Sequence, residues 1–155
     1  DIKPSVIDDL GSTMDIFPTI LEMSNSAQVD DRIIDGLSIK NTLLNLEPSK
    51  REKVIFYRER EVYALRYRQF KAHFITKGVY NYPSRDIKTY MKNPLLYNLD
   101  IDPSEKYNIA DENPEILKKI YEVLESHENN LNAPEDLLQY RDNNGNIDGV
   151  NDSLD

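Results

Sequence analysis

The side chains of greatest chemical interest are two histidines, His73 and His127, and the basic residues around the first of them. His73 alternates with Lys71 in a run of β-forming residues. It is either an ordinary strand-face histidine or a contact for an anion or a sugar hydroxyl. His127 falls on the apolar stripe of a predicted helix, which favours a position at the edge of the core. The sequence therefore makes His73 the first candidate for binding chemistry.

Covalent catalysis has little support in this sequence. The chain contains no cysteine, which excludes a thiol nucleophile and a thiolate metal site in this stretch. No G-x-S-x-G segment predicts the serine of a hydrolase, and the five glycines are too scattered for a phosphate-binding loop. We therefore predict no catalytic residue in this chain.

A weak candidate for a metal site lies at the end of the sequence. Residues 144–155 fit part of a calcium loop of twelve residues, which takes oxygen ligands at positions 1, 3, 5, 9 and 12 and glycine at position 6. The candidate ligands are Asn144, Asn146, Asp148, Asp152 and Asp155. Asparagine at position 1, aspartate at position 12 and the lack of a following helix count against it. A solvated acidic tail is the favoured interpretation.

Charge is distributed unevenly along the chain. The net charge is −9, yet residues 50–92 hold 12 basic and 4 acidic residues, and the remainder holds 7 basic and 24 acidic ones. The basic section can attract an anionic ligand, or its side chains can be solvated charges on a strand face. Basic and aromatic residues interleave between 62 and 74, as in single-strand nucleic-acid binding, but the pI near 4.7 argues against that partner. No apolar run reaches the ~18 residues of a membrane span. We therefore predict that the chain binds neither nucleic acid nor a membrane.

Apolar periodicity predicts the elements that must position these side chains. Helical spacing predicts a helix over residues 13–24, with Ser12 among its candidate caps and Pro18 in its first turn. A short helix follows Ser38 and ends before Pro48. Runs of β-forming residues predict strands at 54–57, 62–67, 70–76 and 94–99.

The connections between these elements have their own signals. Arg68-Gln69 between two strands predicts a tight hairpin, although neither residue suits the positive φ of a primed turn. Residues 77–93 are predicted to be a long loop, and Asp102-Pro103-Ser104-Glu105 is typical of a type I turn. The clearest helix covers 114–131, and a mobile acidic tail is predicted over 132–155.

The order of these elements predicts an α+β fold. A small antiparallel β-sheet of about four strands needs a cover for its apolar face. The C-terminal helix at 114–131 is the only good candidate for that cover. Two helices precede the sheet.

Five segments in this order resemble the C-terminal part of the type I, formylglycine-dependent sulfatases, in the branch of arylsulfatase A and N-acetylgalactosamine-6-sulfatase. The likeness extends over residues 2–131. The segments are STMDIFPTILE (12–22), DGLS (35–38), YALR (63–66) with FKAHFITK (70–77), PLLYNL (94–99) with DPSE (102–105), and PEIL (114–117).

This resemblance implies three parts. Residues 1–48 would end the large N-terminal α/β domain of the family, 49–131 would form its C-terminal subdomain, and 132–155 is a tail outside the likeness. The formylglycine, its C-x-P/S-x-R precursor segment and the calcium ligands of the family lie in the N-terminal domain, and none of these motifs occurs here. The chain alone is therefore expected to hydrolyse nothing and to need that catalytic domain as its partner. Such sulfatases are usually exported, which suggests a periplasmic or secreted parent protein.

The resemblance also implies a role for the strand residues. His73 matches a position near the substrate pocket, and we expect His73 and Lys71 to contact a sulfated sugar or an aryl sulfate. The 77–93 loop would be the specificity element. In this interpretation the chain supports the fold and shapes the pocket of the sulfatase.

Two other interpretations remain open. One is a stand-alone polyanion- or glycan-binding module that uses the basic strands 54–77, which predicts a stable monomer. The other is a purely structural role, which predicts unchanged substrate kinetics when His73 or Lys71 is replaced. A sulfatase fragment should instead carry a large exposed apolar face on helix 13–24 and self-associate when isolated.

Overall fold

The computed structural model describes residues 2, 4–27, 29–58, 60–78 and 87–131. The elements are a 3-10 turn (Thr13–Asp15), helices α1 (Ile16–Met23) and α2 (Lys40–Asn45), strands β1 (Lys53–Arg58), β2 (Glu61–Tyr67), β3 (Phe70–Lys77) and β4 (Lys88–Asn98), and helix α3 (Pro114–Asn130). The chain divides into two compact units, residues 1–124 and 125–155, and the described part of the second ends at 131. The candidate calcium ligands and the predicted tail lie outside the described residues. No described helix is long and apolar enough to cross a lipid bilayer.

The helix predicted over 13–24 is present, and local chemistry explains its start. The Ser12 hydroxyl accepts a hydrogen bond from Met14 N–H (3.3 Å), and Asp15 Oδ2 accepts one from Ser12 N–H (2.8 Å). This reciprocal cap satisfies two donors at the helix start. Pro18 lies in the first turn of α1, where a missing N–H removes no helical hydrogen bond.

One side of α1 faces solvent in this chain. Pro18 and Thr19 are buried, whereas four of the large apolar residues of the helix are 43–58% exposed. We call these side chains the α1 apolar face: Ile16, Phe17, Ile20 and Met23. Contiguous apolar surface on a soluble domain usually marks an interaction site. This is the kind of face that a fragment of a larger protein is expected to carry.

Asp15 ties the start of α1 to the segment that enters β1. Its fully buried carboxylate accepts hydrogen bonds from Leu37 N–H (2.8 Å) and from Arg51 Nε (2.8 Å) and Nη2. Arg51 also donates to the Asp35 carbonyl oxygen (3.0 Å). A Cβ at Gly36 would lie 2.1 Å from a backbone carbonyl oxygen of the helix start, so this turn requires glycine. The buried ion pair therefore joins the start of α1 to the segment that enters β1, and the close contact at Gly36 packs the turn against the helix start.

The sheet has four antiparallel strands in the order β1-β2-β3-β4. Tyr67 pairs with Phe70, so Arg68-Gln69 form the predicted two-residue hairpin loop. Arg68 adopts a positive φ of 51°, although its residue type does not favour that conformation. Two contacts with Glu52 offset this strain: Arg68 N–H donates to its carbonyl oxygen (2.8 Å), and the guanidinium pairs with its carboxylate (2.5 Å).

The last strand starts earlier than the sequence predicted. Residues 88–93 of the predicted loop 77–93 belong to β4, which begins at Lys88, and Tyr90 pairs with Ile75 near the end of β3. Because Leu95 pairs with His73, residues 91–94 lie opposite the single residue Phe74. Pro94 lies within this irregularity, where a proline interrupts no regular ladder. Lys77, also part of the predicted loop, is the last residue of β3, and residues 79–86 of that loop lie outside the described residues.

Helix α3 covers one face of the sheet, as predicted. The core consists of side chains that are at most 5% exposed: Leu65, Ala72, Leu96, Ala110 and Ile120. Around it pack partly buried residues of α3 at helical spacing, namely Ile116, Leu117, Val123 and Leu124. The α+β architecture, with about four antiparallel strands and a covering C-terminal helix, is therefore confirmed.

Candidate functional site

Two rows of side chains lie on the sheet face opposite α3. Directly paired residues point to the same side of a sheet, and alternation sends the core residues Leu65, Ala72 and Leu96 to the other side. The register gives one row of Phe56, Ala64, His73 and Leu95 and a second row of Val54, Arg66, Lys71 and Tyr97. We call these eight residues the open face.

The open face holds a charged cluster in which Glu105 joins both predicted site residues. Lys71 Nζ donates to Glu105 Oε1 (2.6 Å), and His73 Nε2 lies 2.7 Å from Glu105 Oε2. The three side chains are only 19–27% exposed. Aromatic rings flank them: His73 meets Tyr97 edge-on at 5.8 Å, and Lys71 Nζ lies 5.0 Å from the ring centre of Phe56. The structure thus brings His73 and Lys71 together.

A compact turn positions Glu105. Its N–H donates to the Asp102 carbonyl oxygen (3.1 Å), and Asp102 Oδ2 accepts from Lys106 N–H and Tyr107 N–H (2.8 Å each). Glu105 has φ 54°, a left-handed conformation that residues other than glycine rarely adopt. The Asp102 carboxylate, itself buried, therefore holds a strained backbone from which the Glu105 side chain reaches β3.

Burial and charge set the protonation of this cluster. Burial alone would raise the pKa of Glu105, but hydrogen bonds and electrostatic interactions with Lys71 and His73 outweigh it and hold the pKa below its ordinary value of 4.5. Burial lowers the pKa of His73 below its ordinary value of 6.5; the Glu105 carboxylate opposes this, and the Lys71 ammonium adds to it. At neutral pH the cluster therefore consists of an ionised carboxylate, a neutral imidazole and an ammonium.

We expect Glu105 to stabilise the fold in a pH-dependent way. Because its pKa is lowered in the folded state, its stabilisation is complete above about pH 4.5 and is lost as the pH falls through the folded-state value. Glu105→Gln should lower the free energy of unfolding by about 1 kcal/mol at pH 7, and the loss should shrink towards pH 3. Denaturant unfolding at both pH values measures this, with the exposed Glu112→Gln as the matched control. An equal loss at both pH values would contradict it.

The cluster is suited to binding. An imidazole, an ammonium and two aromatic rings combine hydrogen-bonding groups with apolar surface, as small-molecule sites do. In the part of the chain that the structure describes, no three His, Asp or Glu side chains come close enough to hold a metal ion. His127 lies in the last turn of α3.

Sequence reasoning missed Glu105 as a member of this site. The sequence predicts Glu105 only as the last residue of the turn that begins at Asp102-Pro103, and this turn is present. Glu105 is separated by 34 residues from Lys71 and by 32 from His73, so no local spacing could reveal the contact. The turn signal predicted the backbone but not the direction of the side chain.

Acidic residues also match other basic residues of the sheet. Arg68 pairs with Glu52 (2.5 Å), and Lys88 pairs with Glu61 (2.5 Å). Arg66 Nε donates to the Arg68 carbonyl oxygen (2.8 Å). The positive charge of the basic section is therefore compensated locally at Arg68 and Lys88, which weakens the case for a uniform polyanion-binding surface.

Known proteins resemble this chain over most of its length. The family model "C-terminal region of aryl-sulfatase" matches residues 49–149. Similar curated proteins include arylsulfatase A from Bos taurus, 31% identical over 140 residues, and N-acetylgalactosamine-6-O-sulfatase from Bacteroides thetaiotaomicron, 29% identical over 136 residues. These matches cover 82% and 81% of this chain but 27% and 25% of those proteins. The chain thus spans about a quarter of the length of these relatives.

Solved structures agree with this relationship. A sulfatase from Bacteroides thetaiotaomicron, studied in the metabolism of multiple glycosaminoglycans, matches 83% of this chain with a TM-score of 0.66 and 28% identity, and the match covers 27% of that protein. A sulfatase from Pseudoalteromonas sp. matches 81% with a TM-score of 0.69 at 21% identity, which supports the fold alone, and the match covers 26% of it. Because the family model covers more than half of the sequence, the chain belongs to the family of aryl-sulfatase C-terminal regions.

Proposed function

We propose that this chain is the C-terminal part of a sulfuric ester hydrolase, that it packs against an N-terminal catalytic domain, and that its open face forms part of the wall of the substrate pocket. The substrate would be a sulfated sugar or an aryl sulfate, the two types that the names of its relatives contain. The formylglycine and calcium of such an enzyme would belong to the catalytic domain, because this chain has neither a cysteine nor the precursor segment. The chain alone would be inactive.

The observation that carries the pocket role is the cluster on the open face. Lys71 and His73 are held in place by Glu105, yet each keeps about a fifth of its side chain exposed. A ligand contact needs this combination of fixed position and access. Phe56, 40% exposed beside Lys71, adds apolar surface for a sugar or aryl ring.

The α1 apolar face supports the proposed partner. Its four side chains are too exposed to stabilise this chain by burial, whereas contact with another domain would remove them from water. At about 25 cal/mol per Å² of apolar area, even a few hundred Å² would contribute several kcal/mol to docking. In the isolated chain the same face would drive self-association.

Substitutions in the full-length protein that carries this chain test the pocket role. His73→Ala and Lys71→Ala should each reduce kcat/KM for a sulfated sugar by about tenfold or more, the effect of losing a hydrogen bond to a polar or charged group. Lys92→Ala, an exposed lysine on β4, is the matched control. Unchanged kinetics in both variants, with normal folding, would leave only a structural role. Salt-dependent binding of a sulfated glycan by the chain alone would favour an independent binding module.

A further inference from the structure

The two ring nitrogens of His73 have different surroundings. Nε2 lies 2.7 Å from Glu105 Oε2. An ionised carboxylate only accepts hydrogen bonds, so Nε2 must carry the hydrogen in this contact. The second carboxylate oxygen already accepts from the Lys71 ammonium (2.6 Å), which keeps Glu105 in its acceptor role. Nε2 therefore serves as the hydrogen-bond donor to Glu105.

A neutral imidazole carries one N–H, so its other nitrogen is an acceptor. With Nε2 protonated, that acceptor is Nδ1. Among the described residues none forms a hydrogen bond to Nδ1. The nearby ring of Tyr97 contacts His73 edge-on. Because His73 is 22% exposed, an incoming group can reach the ring.

The net charge of the cluster also limits which chemical groups it can bind. Lys71 contributes one positive charge, Glu105 one negative charge and His73 none, so the three side chains sum to zero. A sulfate group would gain little net attraction from these three side chains, and an acceptor nitrogen would repel its oxygens. A hydroxyl group of a sugar, by contrast, can donate directly to an acceptor nitrogen.

We infer that His73 binds its ligand as a hydrogen-bond acceptor through Nδ1, that it contacts a sugar hydroxyl rather than the sulfate group, and that Glu105 is the positioning residue that fixes this state. The inference rests on the proposed role of the open face in the substrate pocket. The left-handed φ of Glu105 fits this assignment, because strained backbone tends to be kept where a side chain has a defined task.

Nitrogen NMR of the chain tests the protonation state directly. The sequence has two histidines, so ¹⁵N-histidine labelling gives two sets of ring signals, and His127→Gln assigns them. At pH 7.5 we expect His73 to carry its hydrogen on Nε2 alone. Glu105→Ala should introduce a measurable fraction of the Nδ1–H form. An imidazolium, or an Nδ1–H ring in the unsubstituted chain, would overturn the inference without touching the pocket role.

Kinetics of the full-length protein test what the acceptor contacts. The probes are N-acetylgalactosamine 6-sulfate, which carries hydroxyls, and 4-nitrophenyl sulfate, which has none. In His73→Leu, the ratio of kcat/KM for the sugar sulfate to that for the aryl sulfate should fall about tenfold, as expected for one lost hydrogen bond. His73→Asn, which keeps an acceptor near the position of Nδ1, should recover part of this ratio. An equal fall for both substrates would show a sulfate contact and overturn the inference. No fall for either would instead overturn the proposed pocket role.

Discussion

Replacing Asp15 with alanine is expected to lower the free energy of unfolding by about 3–5 kcal/mol, because it leaves a buried guanidinium without its carboxylate. Asp15 is fully buried and Arg51 has 8% of its side chain exposed, so water cannot replace the lost partner. The substitution also removes the acceptor of Leu37 N–H, which lies in the tight turn beside Gly36. Chemical denaturation monitored by circular dichroism measures the change.

A matched aspartate distinguishes this effect from the loss of any carboxylate. Asp31 pairs with Arg32, but both side chains are more than 60% exposed, so Asp31→Ala should change the stability by less than about 0.5 kcal/mol. A double-mutant cycle with Arg51→Ala should show a large coupling between the two buried residues. A loss below about 1 kcal/mol for Asp15→Ala would mean that the pair is not buried in solution.

Ile120→Ala is expected to lower the free energy of unfolding by about 2–5 kcal/mol. Ile120 has no exposed surface and lies at the centre of the contact between α3 and the sheet, against Leu65, Ala72 and Leu96. Truncation would leave a cavity that the sheet cannot fill, since the opposing side chains are fixed by their strands. The denaturation midpoint of the variant, at an unchanged slope, measures the loss.

Ile101→Ala is the control with the same change of side chain. Ile101 is 82% exposed in the turn that precedes Glu105, so its truncation should alter stability by less than about 0.5 kcal/mol. If both isoleucine variants unfolded at the same denaturant concentration, this result would contradict the burial of Ile120 between α3 and the sheet.

Local patterns predicted those elements whose signals are contained in a few neighbouring residues. α3 and the first helix follow from apolar spacing and from the capping residue Ser12, and both are present. β4 was predicted too short because its first residues are polar and alternate poorly. They are strand because they pair with the end of β3, a contact that depends on distant residues. Arg68 shows the same limit, since its positive φ is supported by contacts with Glu52, the residue that precedes β1.

The candidate site was predicted in part. Lys71 and His73 alternate along one strand, so their common face follows directly from the period of a β-strand. Glu105 could not be found in this way, because its position depends on how a turn after β4 folds back over β3. The domain boundaries at residues 48 and 131 stay predictions.

The Asp15–Arg51 pair bears on how sulfatase modules can be exchanged. The stretch recognised by the family model begins at residue 49, so a transplant cut there keeps Arg51 and leaves Asp15 behind. In such a graft the guanidinium of Arg51 would lack its carboxylate partner unless the recipient protein supplied one. A transferable unit should therefore begin before Ser12 and include the turn at Gly36, or else replace Arg51 with a residue that needs no partner.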